Sequence, residues 1–314
     1  MLIYTIQRIG LAVLICVIAM TILFSLAYVI PGDPASIALG PRATPEMKEA
    51  LRERMGLDRP VPIQLLTFLG NVATGDLGVD VFSNRPVTTI VFEALPYTLV
   101  LAAAGLGWAI LLGVPLGCYS AIRRNTPLDK LTGILSVGAI SMPSFVVAIY
   151  SVLVFAVTLR WFPAIGAGTA GDPLNQLWHL VLPAFAIGLG WVGYLARLVR
   201  ASMLEVMNEN HIRTARAFGL PERVIVFRYA LRIAILPTVT LLGIAYGGLL
   251  SSAVFAEIVF SRPGIGQLAL AAAQTRNYPV MMGATLVTVF LFALFTMIAD
   301  LVVALLDPRV RSGL

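Results

Sequence analysis

Lysine is almost missing from this 314-residue chain: Lys48 and Lys130 are the only two. Met47 and Asp129 precede them, so no phosphate-binding loop of the form GxxxxGK[ST] exists, and the chain does not hold ATP in that manner. Histidine is equally scarce, with His179 and His211 alone, and the two cysteines, Cys16 and Cys118, fall inside apolar runs. Neither a metal framework nor a disulfide scaffold is available from them. No nucleophile, base and acid can be assembled into a catalytic set. Charge is short too: 12% of residues are charged, against about a quarter in soluble globular domains.

What fills the chain is apolar, at 59% of residues, gathered in recurring runs of about 20, enough to cross a ~30 Å hydrocarbon core. We expect an all-α, polytopic integral membrane protein forming a single transmembrane domain over residues 1–314. Its six spans are expected at residues 9–30, 97–121, 131–159, 179–198, 238–260 and 280–306. The first apolar run is too long for a cleaved signal peptide and lacks a small-residue cleavage site, so it reads as an uncleaved span. Met142-Pro143-Ser144 interrupts the third, where proline is expected to kink it. Trp161 and Trp178 suit an interfacial belt.

Six spans place both termini on one side of the membrane. That side collects Arg8, Arg123, Arg124, Lys130, Arg197, Arg200, Arg309 and Arg311, together with the arginines of residues 203–236. The long polar segment 31–96 on the other side has six basic and eight acidic residues. The positive-inside rule then makes the termini cytoplasmic and segment 31–96 extracytoplasmic. The net charge of +6 is accounted for by this asymmetry and calls for no nucleic acid. Within segment 31–96, Thr44-Pro45-Glu46 starts a helix expected to reach Met55.

The most informative stretch is Arg213 to Pro237. Arg213, Arg216, Arg223, Arg228 and Arg232 stand against one acid, Glu222. Gly219 and Pro221 divide the polar interruption into two helices, about 203–218 and then on to 236. Gly219 suits the left-handed position just past a helix end, and Pro221 the first turn of the next helix. Ile212, Ala215 and Phe218 recur at helical spacing, and as an exposed apolar face they read as a docking surface. The plainer alternative is a solvated loop, with His211 as a surface residue and His179 at a loop end.

Acids inside the spans are few. Glu257 lies near the outer end of the fifth and Asp300 near the inner end of the sixth; each is either a pathway residue or an interfacial, capped one. Ser251 and Ser252 are read as small packing residues or as lining of a solute path. A carrier driven by protons or sodium usually shows midplane acids or broken polar helices, so the energy for transport is expected to come from another subunit.

These residues resemble a known family. Thr214-Ala215, Gly219 and Ile235-Leu236-Pro237 are similar to the cytoplasmic signature of permease subunits of bacterial ABC importers, with Arg213-Thr214-Ala215 where the general signature has Glu-Ala-Ala. That variant resembles the dipeptide/oligopeptide and nickel branch. So do Ile30-Pro31-Gly32-Asp33-Pro34-Ala35, Gly56-Leu57-Asp58-Arg59-Pro60, Gly75-Asp76-Leu77-Gly78, Pro263-Gly264-Ile265-Gly266, Arg276-Asn277-Tyr278-Pro279 and Leu306-Asp307-Pro308-Arg309-Val310-Arg311, which together cover nearly the whole chain. Asn277 stands where the family pattern leads one to expect Asp.

The resemblance implies a type I ABC importer transmembrane fold in the bacterial inner membrane. It implies a second, homologous permease subunit, two ATP-binding cassette ATPases that bind the ATP and magnesium, and an extracytoplasmic solute-binding protein. This chain itself would bind no cofactor and carry no catalytic residue. Ile212, Arg213, Thr214, Ala215, Arg216, Ala217, Phe218, Gly219, Leu220, Pro221, Leu236 and Pro237 would couple it to an ATPase. Ser251, Ser252 and Glu257 are the candidates for the path of a di- or oligopeptide, nickel chelate, glutathione or similar solute. The rival readings are an ion-gradient-driven carrier or channel acting alone and a membrane scaffold that transports nothing.

Overall fold

Uncapped backbone groups are intolerable in lipid, so an apolar chain of this composition folds into helices. The computed structural model describes residues 2–29, 43–55 and 58–306. The motif at Ile30–Ala35, residues Gly56 and Leu57, and the tail from Asp307 onward lie outside them. Among the described residues, five helices are long and apolar enough to cross a membrane: Thr5–Ser25, Val87–Ile122, Pro173–Val206, Leu236–Val259 and Tyr278–Val302. The bent pair Pro127–Ser141 and Ser144–Thr158, whose axes differ by 102°, makes a sixth when counted as one broken span. Met142 is extended, with φ −86° and ψ 122°, as the residue before a proline prefers. A kink was the sequence expectation; the chain instead changes direction outright.

The chain forms two compact units. The first comprises residues 1–98 and 263–294. It holds α1 (Leu2–Val29), the polar α2 (Pro45–Met55), the apolar α3 (Val61–Ala73), the start of α4 (Val87–Trp108) and the short helix Ile265–Gln274, and it takes in the first half of Tyr278–Leu306. A tight turn over residues 76–87 is closed by Val87 N–H donating to the Gly78 carbonyl at 3.0 Å. Asp80 organises it. Its buried carboxylate accepts from the backbone N–H groups of Phe82 and Ser83 at 3.2 and 3.0 Å, from the Ser83 hydroxyl and from the Asn277 amide. Burial would raise the Asp80 pKa, but the donors from Ser83, Asn277 and the two backbone groups outweigh it and hold it below the ordinary carboxylate value. This explains the asparagine: an aspartate at 277 would set a second carboxylate against Asp80, whereas the amide donates to it.

The second unit comprises residues 99–262 and 295–314. Its longest member is α8 (Pro173–Val206), numbered after α5 (Val114–Ile122), α6 (Pro127–Ser141) and α7 (Ser144–Ser151). Asp172 caps α8 by accepting from Leu174 and Asn175 N–H at 3.1 Å each, and Pro173 takes the first turn at no hydrogen-bond cost. α8 is the most buried of the candidate spans, and it packs closely because small residues line its contacts. A β-carbon at Gly117 would stand 2.4 Å from the Ala196 carbonyl oxygen, and one at Gly188 2.6 Å from that of Gly105. Between α4 and α5, Ala109–Gly113 widens into a π-turn, ending two residues before Pro115, which cannot donate to the helical ladder.

Candidate coupling elbow and solute cleft

At Val206 the chain leaves α8, turns through Met207–Glu209, and forms α9 (Asn210–Ala217). The helix is therefore shorter than the 203–218 expected, because α8 itself runs on to Val206. α9 ends in a complete Schellman motif. Gly219 N–H donates to the Arg216 carbonyl at 2.9 Å and Leu220 N–H to the Ala215 carbonyl at 3.3 Å. Gly219 has φ +74°, the left-handed conformation that glycine adopts without strain. Pro221 then opens Glu222–Val224, continued as a π-turn over Ile225–Ala230 and a last helical turn, Leu231–Ala234. Arg216 clamps the corner, its Nη2 standing 2.7 Å from Glu222. That hydrogen bond holds the Glu222 carboxyl below its usual pKa.

Burial divides the residues that spacing had grouped. Ile212 is 0% and Ala215 5% exposed. Both join a core with Cys118, Ala121, Val199, Met203, Val206, Ile225, Val226, Ala230 and Ala234, and Leu220 packs against it. Phe218 is 82% exposed. The expectation of one docking face over Ile212, Ala215 and Phe218 is thus corrected. Three residues fall about 60° short of a full turn, so a stripe taken in steps of three drifts, and by 218 it has left the core side. The outer surface of the elbow is Arg213, Thr214, Arg216, Ala217, Phe218 and Gly219, with Pro221, Leu236 and Pro237 also exposed.

Beside this core stands an ionic node that sequence reasoning missed. The Asp129 carboxylate, 6% exposed, accepts from Arg200 Nε at 2.6 Å and Nη2 at 2.8 Å. It also accepts from the Ser120 hydroxyl at 2.5 Å and the Asn125 N–H at 2.9 Å. A fork–fork guanidinium–carboxylate pair of this kind fixes geometry as well as charge. It joins α8, through Arg200, to the α5–α6 corner. A local signal was there but went unread, since Thr126-Pro127 with an acid three residues after the threonine makes a capping signature. The partner 71 residues away gave no such signal.

The weaker candidates separate as well. Ser252 lines a cleft of about 250 Å³ with Ile140, Met142, Ser144, Trp191 and Tyr194, at the bend between α6 and α7. Its hydroxyl donates to the Gly248 carbonyl at 3.2 Å. Ser251 is exposed and Glu257 is fully buried, and neither lines that cleft.

Residues 113–312 match the family model described as "Binding-protein-dependent transport system inner membrane component", and residues 1–102 match the model of its N-terminal part. A Brucella suis protein provisionally named a peptide permease is 41% identical over 320 residues, with 99% of each chain covered. The glutathione transport system permease protein GsiC of Pectobacterium atrosepticum is 35% identical, with 99% of each covered. The dipeptide transport system permease protein DppB of Alkalihalophilus pseudofirmus is 33% identical over 99% of this chain and 100% of its own. Among solved structures, the inward-facing MetNI methionine ABC transporter aligns over 69% of this chain and 96% of its own, with TM-score 0.58 and 19% identity. This likeness concerns the fold.

Proposed function

The chain belongs to the family of inner-membrane components of binding-protein-dependent transport systems, and from this we propose that it forms half of an ATP-driven import pathway for di- and oligopeptides. A second, homologous permease completes the pathway, two ATPase subunits bind ATP and magnesium on the cytoplasmic side, and an extracytoplasmic protein delivers the solute. Both termini are cytoplasmic, as the arginine distribution favours. The names of the relatives, which include peptide, dipeptide and glutathione permeases, support a small peptide as cargo.

One observation carries the coupling role: α9 has an inner side sunk into the permease core and an outer side that ends in an uncovered phenylalanine. A knob transmits a displacement only if it is seated in its own body, and Ile212 and Ala215 seat this one. Phe218, with Arg213, Thr214 and Ala217 beside it, is left for the groove of an ATPase. Aromatic side chains are enriched where proteins meet, and this one sits at the tip of a seated helix. When the ATPases close on ATP, the displacement enters at α9 and reaches α8 through the shared core and the Asp129–Arg200 node. Leu236 and Pro237 begin the helix that continues to Val259.

The test is uptake by proteoliposomes holding this chain, its partner permease and the ATPases, supplied with binding protein and a labelled dipeptide. Uptake requires ATP and is lost in Phe218→Ala. Solute movement by this chain alone on an ion gradient would overturn the proposal in favour of a secondary carrier. Full uptake in vesicles lacking this chain would reduce it to a scaffold.

A further inference from the structure

Helix α3 is too short to span a bilayer and too apolar to stand in water. Its 13 residues extend about 20 Å, against a hydrocarbon core of ~30 Å. From Val61 to Ala73 it has no charged residue; the nearest are Asp58 and Arg59 before it and Asp76 after it. The helix just upstream, α2, is the opposite, with Glu46, Lys48, Glu49, Arg52, Glu53 and Arg54 in 11 residues. Two helices of one segment thus declare different surroundings.

Packing fixes the depth of α3. Leu65 and Phe68 join a cluster with Leu23, Phe24, Tyr278, Met281 and Met282. Phe24 lies 15 residues beyond Ile9, where the uninterrupted apolar run of α1 begins, a rise of about 22 Å, which puts it in the distal third of the hydrocarbon core. Tyr278 is the first residue of its own span. Both neighbours therefore meet α3 toward one membrane boundary, and the side of α3 turned away from them lies at the same depth. That side carries Ile63, 47% exposed, and Leu66, 68% exposed, with Thr67, Gly70 and Asn71 also exposed. It is uncharged throughout and continuous in character with α1, whose Val17, Ile18 and Ile22 are exposed as well.

We propose that α3 is an interfacial helix. It lies in the membrane–water boundary at the end of α1 distal to the N terminus, with Ile63 and Leu66 inserted among lipid acyl chains of that leaflet. Under the orientation proposed above this is the outer leaflet; the lipid contact itself does not depend on that orientation. Amphipathic surfaces at this depth bind by burying apolar area at the level of the headgroups. The occupant is lipid because the inner side of α3 is already anchored at hydrocarbon depth, where a water-borne binding protein does not reach. The extracytoplasmic segment is thereby split in function. α2 faces water and is free for a protein partner, while α3 holds the base of the segment against the bilayer.

The experiment uses the assembled transporter in lipid nanodiscs, with Cys16→Ala and every other accessible cysteine replaced. Single cysteines at Ile63, Leu66, Gly70 and Asp76 carry a nitroxide, and collision with oxygen is compared with collision with a water-soluble nickel chelate. Labels at 63 and 66 favour oxygen, the label at 76 favours the chelate, and the preference inverts between them. Chelate exceeding oxygen at 66 would place α3 in water and overturn the proposal. Low access to both reagents would mean that a protein covers it, and would overturn it equally. Quenching of a bimane on the same cysteines by brominated lipids reads the contact with a smaller, uncharged probe. No quenching at 66 would also refute it.

Discussion

Two arginine–acid pairs stand at the elbow end of the second unit, and they do different work. Arg200 and Asp129 meet with the carboxylate almost wholly out of solvent and four donors upon it. Arg216 and Glu222 meet in the open, with side chains 43% and 54% exposed. Removing one partner of a buried pair strands the other, whereas an exposed pair is screened and worth little. The buried pair fixes where α8 stands against the α5–α6 corner; the exposed pair trims a corner whose shape the backbone already sets.

The contrast sharpens most at Arg200→Ala. With the Asp129 carboxylate left among Ser120 and Asn125 alone, we expect a loss of about 3 kcal/mol in stability, read as a large drop in the melting temperature of the purified complex. Next comes Gly219→Val. No heavy atom lies within 4 Å of a β-carbon built at Gly219, so the cost is purely that of φ +74° for a β-branched residue, about 1–3 kcal/mol. Membrane insertion should persist while peptide uptake is abolished; normal uptake would refute the joint.

Glu222→Gln should cost under about 1 kcal/mol. The Glu222 pKa is lowered in the folded chain, so its contribution is present above the ordinary carboxylate pKa and is lost as pH falls through the lower folded value. The variant and the parent should therefore converge in stability in acid; a gap that widens there would break the comparison. Smallest of all in stability is Phe218→Ala. It should leave the melting temperature in place while uptake falls and ATP hydrolysis no longer responds to the loaded binding protein.

Much of this was legible in the sequence, for reasons that differ by residue. The helical fold follows from apolar runs that leave no other solution in lipid. Gly219 could be placed because a helix end followed by Gly-x-Pro has few conformations. Ile212 and Ala215 could be put on one side of a helix, but not assigned an inside, since spacing identifies a face and says nothing of what covers it. Asp129 and Arg200 were visible only as charges to be counted, because nothing local links residues brought together by the crossing of α5, α6 and α8. Asn277 was noticed as a departure from a family pattern; its reason, the carboxylate of Asp80, lies almost 200 residues earlier in the chain.

The length of α8 implies that one polypeptide answers to two solvents. Its 34 residues rise about 51 Å, some 20 Å more than a ~30 Å hydrocarbon core accommodates, and the sequence assigns the run 179–198 to the membrane. Val199, Met203 and Val206 therefore gather the elbow core on the aqueous side. There, exclusion of water drives packing, whereas between spans it contributes nothing and close contact must suffice. Urea and cooling weaken the first kind of cohesion, so they should slacken the elbow while the spans hold, and the transporter would lose its grip on ATP hydrolysis well before it loses its place in the membrane.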